Sequence, residues 1–302
     1  MKLIKPSFEI WNQSAGLEGV YKQIERVGRV CYKSEDKITE DSAKGFVDRM
    51  VKSGHGAMLE HGTVYLDVPN SAGDYNLVPF FASNPYSKVV IKSLDNRVHN
   101  YVTTNFRVIV ENFAEEYIPD ILQYLCEPTE CHEKRITVHF VCDRGVSHEF
   151  VRHRVMSFAQ ESTRYCNYSK DKFGNEITFI IPNWLDIPEG NYEIPAFWDK
   201  ETCKLMSKYA GDENTYASIQ TFLSGIGLSE QQYLSLIEDG WKPQQARAIL
   251  PNALKTELVV TGFVSDWKHF FFLRTPMNAH PQARELAIPL QEEFIERKYI
   301  NN

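Results

Sequence analysis

Apolar positions fall at helical spacing over Ser42 to Ser53, where Phe46, Val47, Met50 and Val51 share one face. Gly54 follows, a residue that accepts left-handed backbone, so the pattern predicts a helix ending there. His55 to His61 is polar and predicts a turn. Thr63 to Val68 is β-branched and aromatic and predicts a strand. Residues 70 to 100 read as irregular, with Asn70-Ser71-Ala72-Gly73 and Asn84-Pro85 as turn signals. Phe106 to Leu125 is helical in pattern, interrupted near Pro119. Arg135 to Cys142 alternates, with Ile136, Val138, Phe140 and Cys142 on one side, and predicts a strand. Gly145-Val146-Ser147 turns the chain, and Ser147 suits the N-cap of a helix from His148 to about Arg154. Residues 155 to 170 are polar and aromatic and predict an ordered loop; Ile177 to Ile181 predicts a short strand. Helical patterns follow at Asn214 to Leu223, Glu230 to Glu238, Pro243 to Leu250, Trp267 to Arg274, and Pro281 to Arg297 with a break at Pro289. Strands early and helices late predict an α+β fold in one domain spanning 1–302.

Composition narrows the class. The chain has 302 residues, 43% of them apolar, enough for a sizeable core. Its net charge of −7 argues against general nucleic-acid binding, though not against a small anion in a locally basic cleft. No stretch is long and apolar enough to predict a membrane span, and the first residues lack a signal-peptide pattern. The six cysteines follow no disulfide framework and read as reduced cytosolic thiols, so a cytoplasmic protein is expected. Cys126 and Cys131-His132 have no second paired set at zinc-ribbon distance and read as structural.

Against this acidic background, residues 152 to 165 concentrate Arg152, His153, Arg154 and Arg164 with Ser157, Ser162, Gln160, Phe158 and Tyr165. Arginine stays charged, forks onto phosphate oxygens and stacks on rings, so the cluster suits a phosphorylated planar ligand. Spacing alone would equally describe a solvated basic helix face. His148 and His153 resemble a zinc-protease helix, but they lie five apart, about 140° off one face, and no metal site is expected. Cys166, following Arg164 and Tyr165, could be an activated thiol, but activation needs a partner geometry the sequence does not supply, and no covalent role is expected of it.

Arg152-His153-Arg154, seven residues, then Ser162-Thr163-Arg164 resembles the motif of the flavin-dependent thymidylate synthases. Cys142 to Glu149 and Tyr165-Cys166-Asn167-Tyr168 are similar to that family too. The resemblance covers roughly residues 40–68, 135–169 and 243–288. It implies a mainly antiparallel sheet flanked by helices, with the extra length of this chain in about 69–134 and 183–228. It also implies reductive methylation of dUMP to dTMP, with FAD as cofactor, 5,10-methylenetetrahydrofolate as carbon donor, NADPH as reductant and no enzyme nucleophile. By the same resemblance, Ser162, Thr163, Arg164, Gln160 and Glu161 form the nucleotide phosphate and ribose loop, with Arg247 beside it. Arg274 polarises the pyrimidine; as an arginine ending an aromatic run it could otherwise simply cap its helix. Arg152, His153 and Arg154 serve the flavin edge, Arg152 also facing substrate, and His55, Ala57, Glu60 and His269 are further flavin-side positions.

Three departures stand out. Glu149 occupies a nucleotide-side position where many members have glutamine, Gln160 stands where others carry glutamate, and Phe263 replaces a polar residue at a cofactor position. The family's homotetramers share active sites between subunits, so the 152–154 and 160–164 ends of the motif are expected to serve different sites or chains. The competing reading is a non-catalytic nucleotide or RNA-binding module that uses the arginine–tyrosine loop for phosphates and stacking.

Overall fold

The computed structural model describes residues 1–69, 77–94, 97–193 and 213–301. Its strands are β1 (Lys2–Ile4), β2 (Ser7–Trp11), β3 (Thr63–Pro69), β4 (Lys88–Leu94), β5 (Arg97–Asn105), β6 (Arg135–Asp143), β7 (Ser157–Gln160), β8 (Thr178–Ile180), β9 (Gly190–Asn191) and β10 (Lys255–Phe263). The helices are α1 (Gly16–Tyr32), α2 (Ser42–Lys52), α3 (Gly56–Leu59), α4 (Leu77–Ser83), α5 (Phe106–Asn112), α6 (Ile118–Leu122), α7 (Arg144–Phe150), α8 (Glu213–Glu238), α9 (Pro243–Ala246), α10 (Val264–Arg274) and α11 (Pro281–Glu296). No described helix is long and apolar enough to cross a membrane.

The α+β expectation holds, with mainly antiparallel pairing distributed over three sheets. The central sheet runs β2-β6-β10-β7, antiparallel throughout. Alternation along β6 decides its two faces. Ile136, Val138, Phe140 and Cys142 join Leu258 and Val260 of β10 in a core with Phe150, Trp267, Phe270, Phe271, Leu290 and Phe294 from α7, α10 and α11. The opposite face carries Val259 and Ala159 against Val27, Val30 and Cys31 of α1. Each large apolar side chain buried this way stabilises the fold by roughly 1.5–3 kcal/mol. A second sheet, β3-β5-β4, packs under α1, α2 and α4 to α6. The third, β8-β1-β9, pairs β1 with β8 in parallel and packs on α8.

Several elements differ from the sequence expectation. Residues 77–94 and 97–100 are not irregular: α4, β4 and the start of β5 occupy them, while the Asn70-Ser71-Ala72-Gly73 turn signal lies outside the described residues. β10 had no sequence counterpart, because both of its faces are buried and its apolar run does not alternate. The helix expected from His148 begins at Arg144, one turn earlier. Asp143, not Ser147, caps it, accepting from Val146 N at 2.7 Å. The expected loop after it contains β7, a short edge strand. Residues 56–59 form the single turn α3 instead of an open turn. The helix over 106–125 breaks at Phe113-Ala114, and Pro119 sits in the first turn of α6, where its missing N–H costs nothing. The helices expected around Leu223 and Glu230 are one continuous α8. α11 runs through Pro289 because Leu286, Ala287, Leu290 and Phe294 pin its buried face on both sides of the proline.

Candidate functional site

The motif straddles β7. Arg152, His153 and Arg154 lie in the turn between α7 and β7, and Ser162, Thr163 and Arg164 in the loop after it. Leu258 to Thr261 of β10 pair with Gln160 to Ser157, so β7 holds the two halves of the motif at opposite ends of one hydrogen-bonded strand.

At the first end, the Arg274 guanidinium is clamped. Nε donates to His153 Nε2 at 3.1 Å, Nη2 donates to the Glu149 backbone oxygen at 2.6 Å, and Nη1 forms an ion pair with the Glu149 carboxylate. His153 is buried, with its ring 5.9 Å from that of His269 and 5.0 Å from Phe270. Burial, then the charge on Arg274, pushes the His153 imidazole down to about 4. His153 is therefore a neutral acceptor at physiological pH, and Arg274 does more than end its helix. His148, by contrast, is exposed. The two histidines of the zinc-like pattern face different surroundings.

At the second end, Glu161 N donates to Glu257 O at 2.8 Å, extending the β7–β10 ladder into the loop. Ser162 N donates to Cys31 O at 3.0 Å and Arg247 Nη1 to Thr163 Oγ1 at 3.2 Å. Gln160 Nε2 donates to Ser147 Oγ at 2.8 Å and to Thr256 Oγ1 at 3.2 Å. The loop thus brings Gln160, Glu161, Ser162, Thr163 and Arg247 together, with Arg164 exposed over the Tyr165 ring at 5.1 Å. Cys166 is buried in the core with Tyr168 and Tyr233.

A charge network under this loop escaped the sequence reading. Glu257 accepts from Lys33 Nζ at 2.7 Å and His139 Nε2 at 3.0 Å and pairs with Lys255, which also reaches Glu161 at 2.9 Å. Burial works against the Glu257 carboxylate, yet His139, Lys255 and Lys33 together hold it far below the usual range, and Glu257 in turn holds Lys33 well above its own despite burial. Lys33 and Glu257 are 224 residues apart, so only the fold joins them.

The third segment lies beside α1 and β7. His55 and Ala57 line a cavity of about 410 Å³ with Cys31, Tyr32, Met58 and Arg107. Glu60 pairs with Arg107 at 2.6 Å. Tyr32 touches Tyr165, their centroids 5.2 Å apart, so this cavity adjoins the nucleotide-side loop. Phe263 is buried at the start of α10, about 16 Å along the helix from Arg274, and packs beneath Lys88 and Arg135. The structure does not bring it to the His153 end. Arg135 connects it to the cavity segment, donating to Glu60 O at 3.0 Å.

Among the described residues, Arg152, Arg154, Arg164 and Arg247 have no carboxylate within ion-pair distance, whereas Arg29, Arg107, Arg274 and Arg297 are all paired. On a chain of net charge −7, the guanidiniums of Arg152, Arg154, Arg164 and Arg247, exposed at the two ends of one strand, make a locally basic surface that can attract an anion.

A sequence model of the family described as thymidylate synthase complementing protein matches residues 82–297. The flavin-dependent thymidylate synthase of Pyrococcus furiosus is 29% identical over 72% of this chain and 77% of its own. That of Pyrococcus horikoshii is 30% identical over 72% and 78%. The UMP/dUMP methylase PolB from Streptomyces cacaoi, solved with 5-Br dUMP, aligns over 98% of this chain and 93% of its own at 16% identity and a TM-score of 0.44. The chain belongs to the flavin-dependent thymidylate synthases, a family of flavoprotein methyltransferases.

Proposed function

We propose that this protein converts dUMP to dTMP with 5,10-methylenetetrahydrofolate as carbon donor, NADPH as reductant and FAD as cofactor, without an enzyme nucleophile. The observation that carries the reading is the set of four exposed arginines at the two ends of β7, Arg152, Arg154, Arg164 and Arg247, on a chain of this family. When bound, FAD supplies the redox chemistry that the protein's own side chains lack. The residues fit such a group: the cavity beside His55 and Ala57 is walled mainly by apolar side chains that suit a ring, and Arg152 and Arg154 are free to meet an anionic edge. His55, Ala57, Glu60, Arg152, His153, Arg154, Gln160, Phe263 and His269 are the proposed cofactor side.

On the substrate side, Ser162, Thr163, Arg164 and Arg247 hold the 5′-phosphate and sugar, with Gln160 and Glu161 fixing the strand from which the loop springs. Arg274 polarises the pyrimidine as negative charge develops on the ring. Its aim is set by Glu149 and by His153, which as a neutral acceptor adds no competing charge. Residues 1–302 act as one domain, with 69–134 and 183–228 as additions to the family core. Homotetramers in the cytoplasm complete the shared sites.

An anaerobic flavin assay tests this. The purified protein should be yellow, NADPH should bleach it, and dUMP with the folate donor should restore the colour while thymidylate appears. A colourless protein that refuses FAD in the presence of dUMP refutes the reading. Light scattering at the mass of a monomer refutes the shared-site assembly.

A further inference from the structure

Glu161 directly precedes the Ser162-Thr163-Arg164 stretch, yet it is buried, with 3% of its surface exposed. The sheet explains why. Leu258 pairs with Gln160, and Glu161 N donates to Glu257 O at 2.8 Å, so the first residue of the loop continues the β7–β10 ladder. Lys255 and Glu257 stand two apart on β10, and side chains two apart share one face of a strand. Lys255 Nζ therefore donates to Glu161 Oε2 at 2.9 Å and pairs with the Glu257 carboxylate as well. The Tyr168 hydroxyl donates to the other oxygen, Glu161 Oε1, at 3.5 Å. Lys33, at the end of α1, shares Glu257 with Lys255, at 2.7 Å.

A phosphate is repelled by a carboxylate, so a loose one at position 161 would work against the loop it belongs to. Arg164 follows it closely in the chain, and Arg247 Nη1 donates to Thr163 Oγ1 at 3.2 Å, so two exposed guanidiniums stand near it. A buried carboxylate that loses its cation is costly and turns to the nearest cation available. Here that would be a guanidinium on the ligand side of the loop. The carboxylate would then take up donors that a phosphate needs and add like charge beside it.

We propose that Lys255 is a positioning residue for the nucleotide: it holds the Glu161 carboxylate against β10 and so leaves the donors of Arg164 and Arg247 to the 5′-phosphate. The inference rests on the reading of Ser162, Thr163, Arg164 and Arg247 as the phosphate site. Lys255 acts through Glu161 and not on the ligand.

Calorimetric titration of the FAD-loaded protein with dUMP tests it, with melting temperature and turnover at saturating dUMP measured alongside. Lys255→Met should weaken dUMP binding by about tenfold, the scale of one added like charge near a bound anion in a partly exposed site. Turnover at saturating dUMP should stay within about twofold, because the loss falls on binding and not on the reacting ring. Lys255→Arg keeps the cation and should bind dUMP within about threefold of wild type. Lys33→Met is the control. It takes a cation from the same Glu257 but leaves the Lys255–Glu161 pair in place, so it should melt lower and keep its dUMP affinity. Should Lys255→Met fail to fold, Lys255→Gln replaces it, with the same loss expected. Unchanged dUMP affinity in the charge-deleted variant, an equal loss in Lys33→Met, a loss in Lys255→Arg as large as in Lys255→Met, or turnover that falls as far as affinity overturns the proposal. A wild type that binds no dUMP refutes the functional reading, and the proposal with it.

Discussion

Replacing Glu257 by glutamine would remove the centre of the charge network beneath the nucleotide-side loop. The carboxylate is only 12% exposed and accepts from three groups, so solvent screening discounts the loss little. Breaking a buried pair by deleting one partner costs about 3–5 kcal/mol, because the remaining charges stay buried. Two partners keep another carboxylate here, Lys33 with Glu35 at 3.0 Å and Lys255 with Glu161 at 2.9 Å, which places the expected cost near about 3 kcal/mol. In a chain of this size that lowers the melting temperature by roughly 5 °C. The sign with pH is set by the depressed Glu257 carboxylate. Its contribution is full above its unfolded pKa of about 4.3 and is lost only as pH falls towards its much lower folded value. Urea unfolding of wild type and Glu257→Gln at pH 7 and at pH 3 measures both effects. A large gap at pH 7 that narrows at pH 3 is expected. Stability within about 0.5 kcal/mol of wild type at pH 7 would refute the claim that this network carries net stability.

Arg274→Ala should keep flavin binding and lose at least about 100-fold in thymidylate formation, the scale of removing one preorganised donor from a developing charge; near-normal turnover in a thymidylate assay defeats the assignment. His153, at about 4, and the fully buried His61, pushed to about 3 by burial and Arg135, are both neutral when folded. Each binds a proton more readily when unfolded, so stability should decline as pH falls from about 6.5 towards 4, in a window above that of Glu257. Urea midpoints at pH 7, 5.5 and 4.5 follow it, and a flat profile would count against the burial of these rings. Cys166→Ser should retain turnover, since the thiol sits in a core with Tyr168 and Tyr233; an inactive variant that still binds flavin and dUMP reopens covalent catalysis.

Much of the site was legible because it is written in one stretch. Arg152 to Arg164 is contiguous, and its residue types announce an anionic ligand before any fold is known. β6 was readable because one face differs from the other. β10 was not, because a strand covered on both sides shows no alternation, and without it the pairing that straightens β7 cannot be inferred. Asp143 took the cap position from Ser147 because a side chain capping one turn earlier satisfies the first helical N–H groups. The β4–β5 pair was masked by the turn residues that precede it, Asn84-Pro85 among them. Lys33, His139, Lys255 and Glu257 carry no signal of partnership in sequence, since each is an ordinary polar residue until two sheet strands and a helix end converge. Arg135 is the same kind of case: nothing in Lys134-Arg135-Ile136 says which of the two cations goes inside.

β7 makes the seven-residue spacing of the motif a ruler. Four strand residues span about 13 Å, and β10 fixes where the graduations fall. Lengthening the segment by one residue would turn every later side chain to the opposite side of the sheet, and lengthening it by two would keep the sides but shift the loop by about 7 Å. Gauge and handedness are thus enforced by a single edge strand.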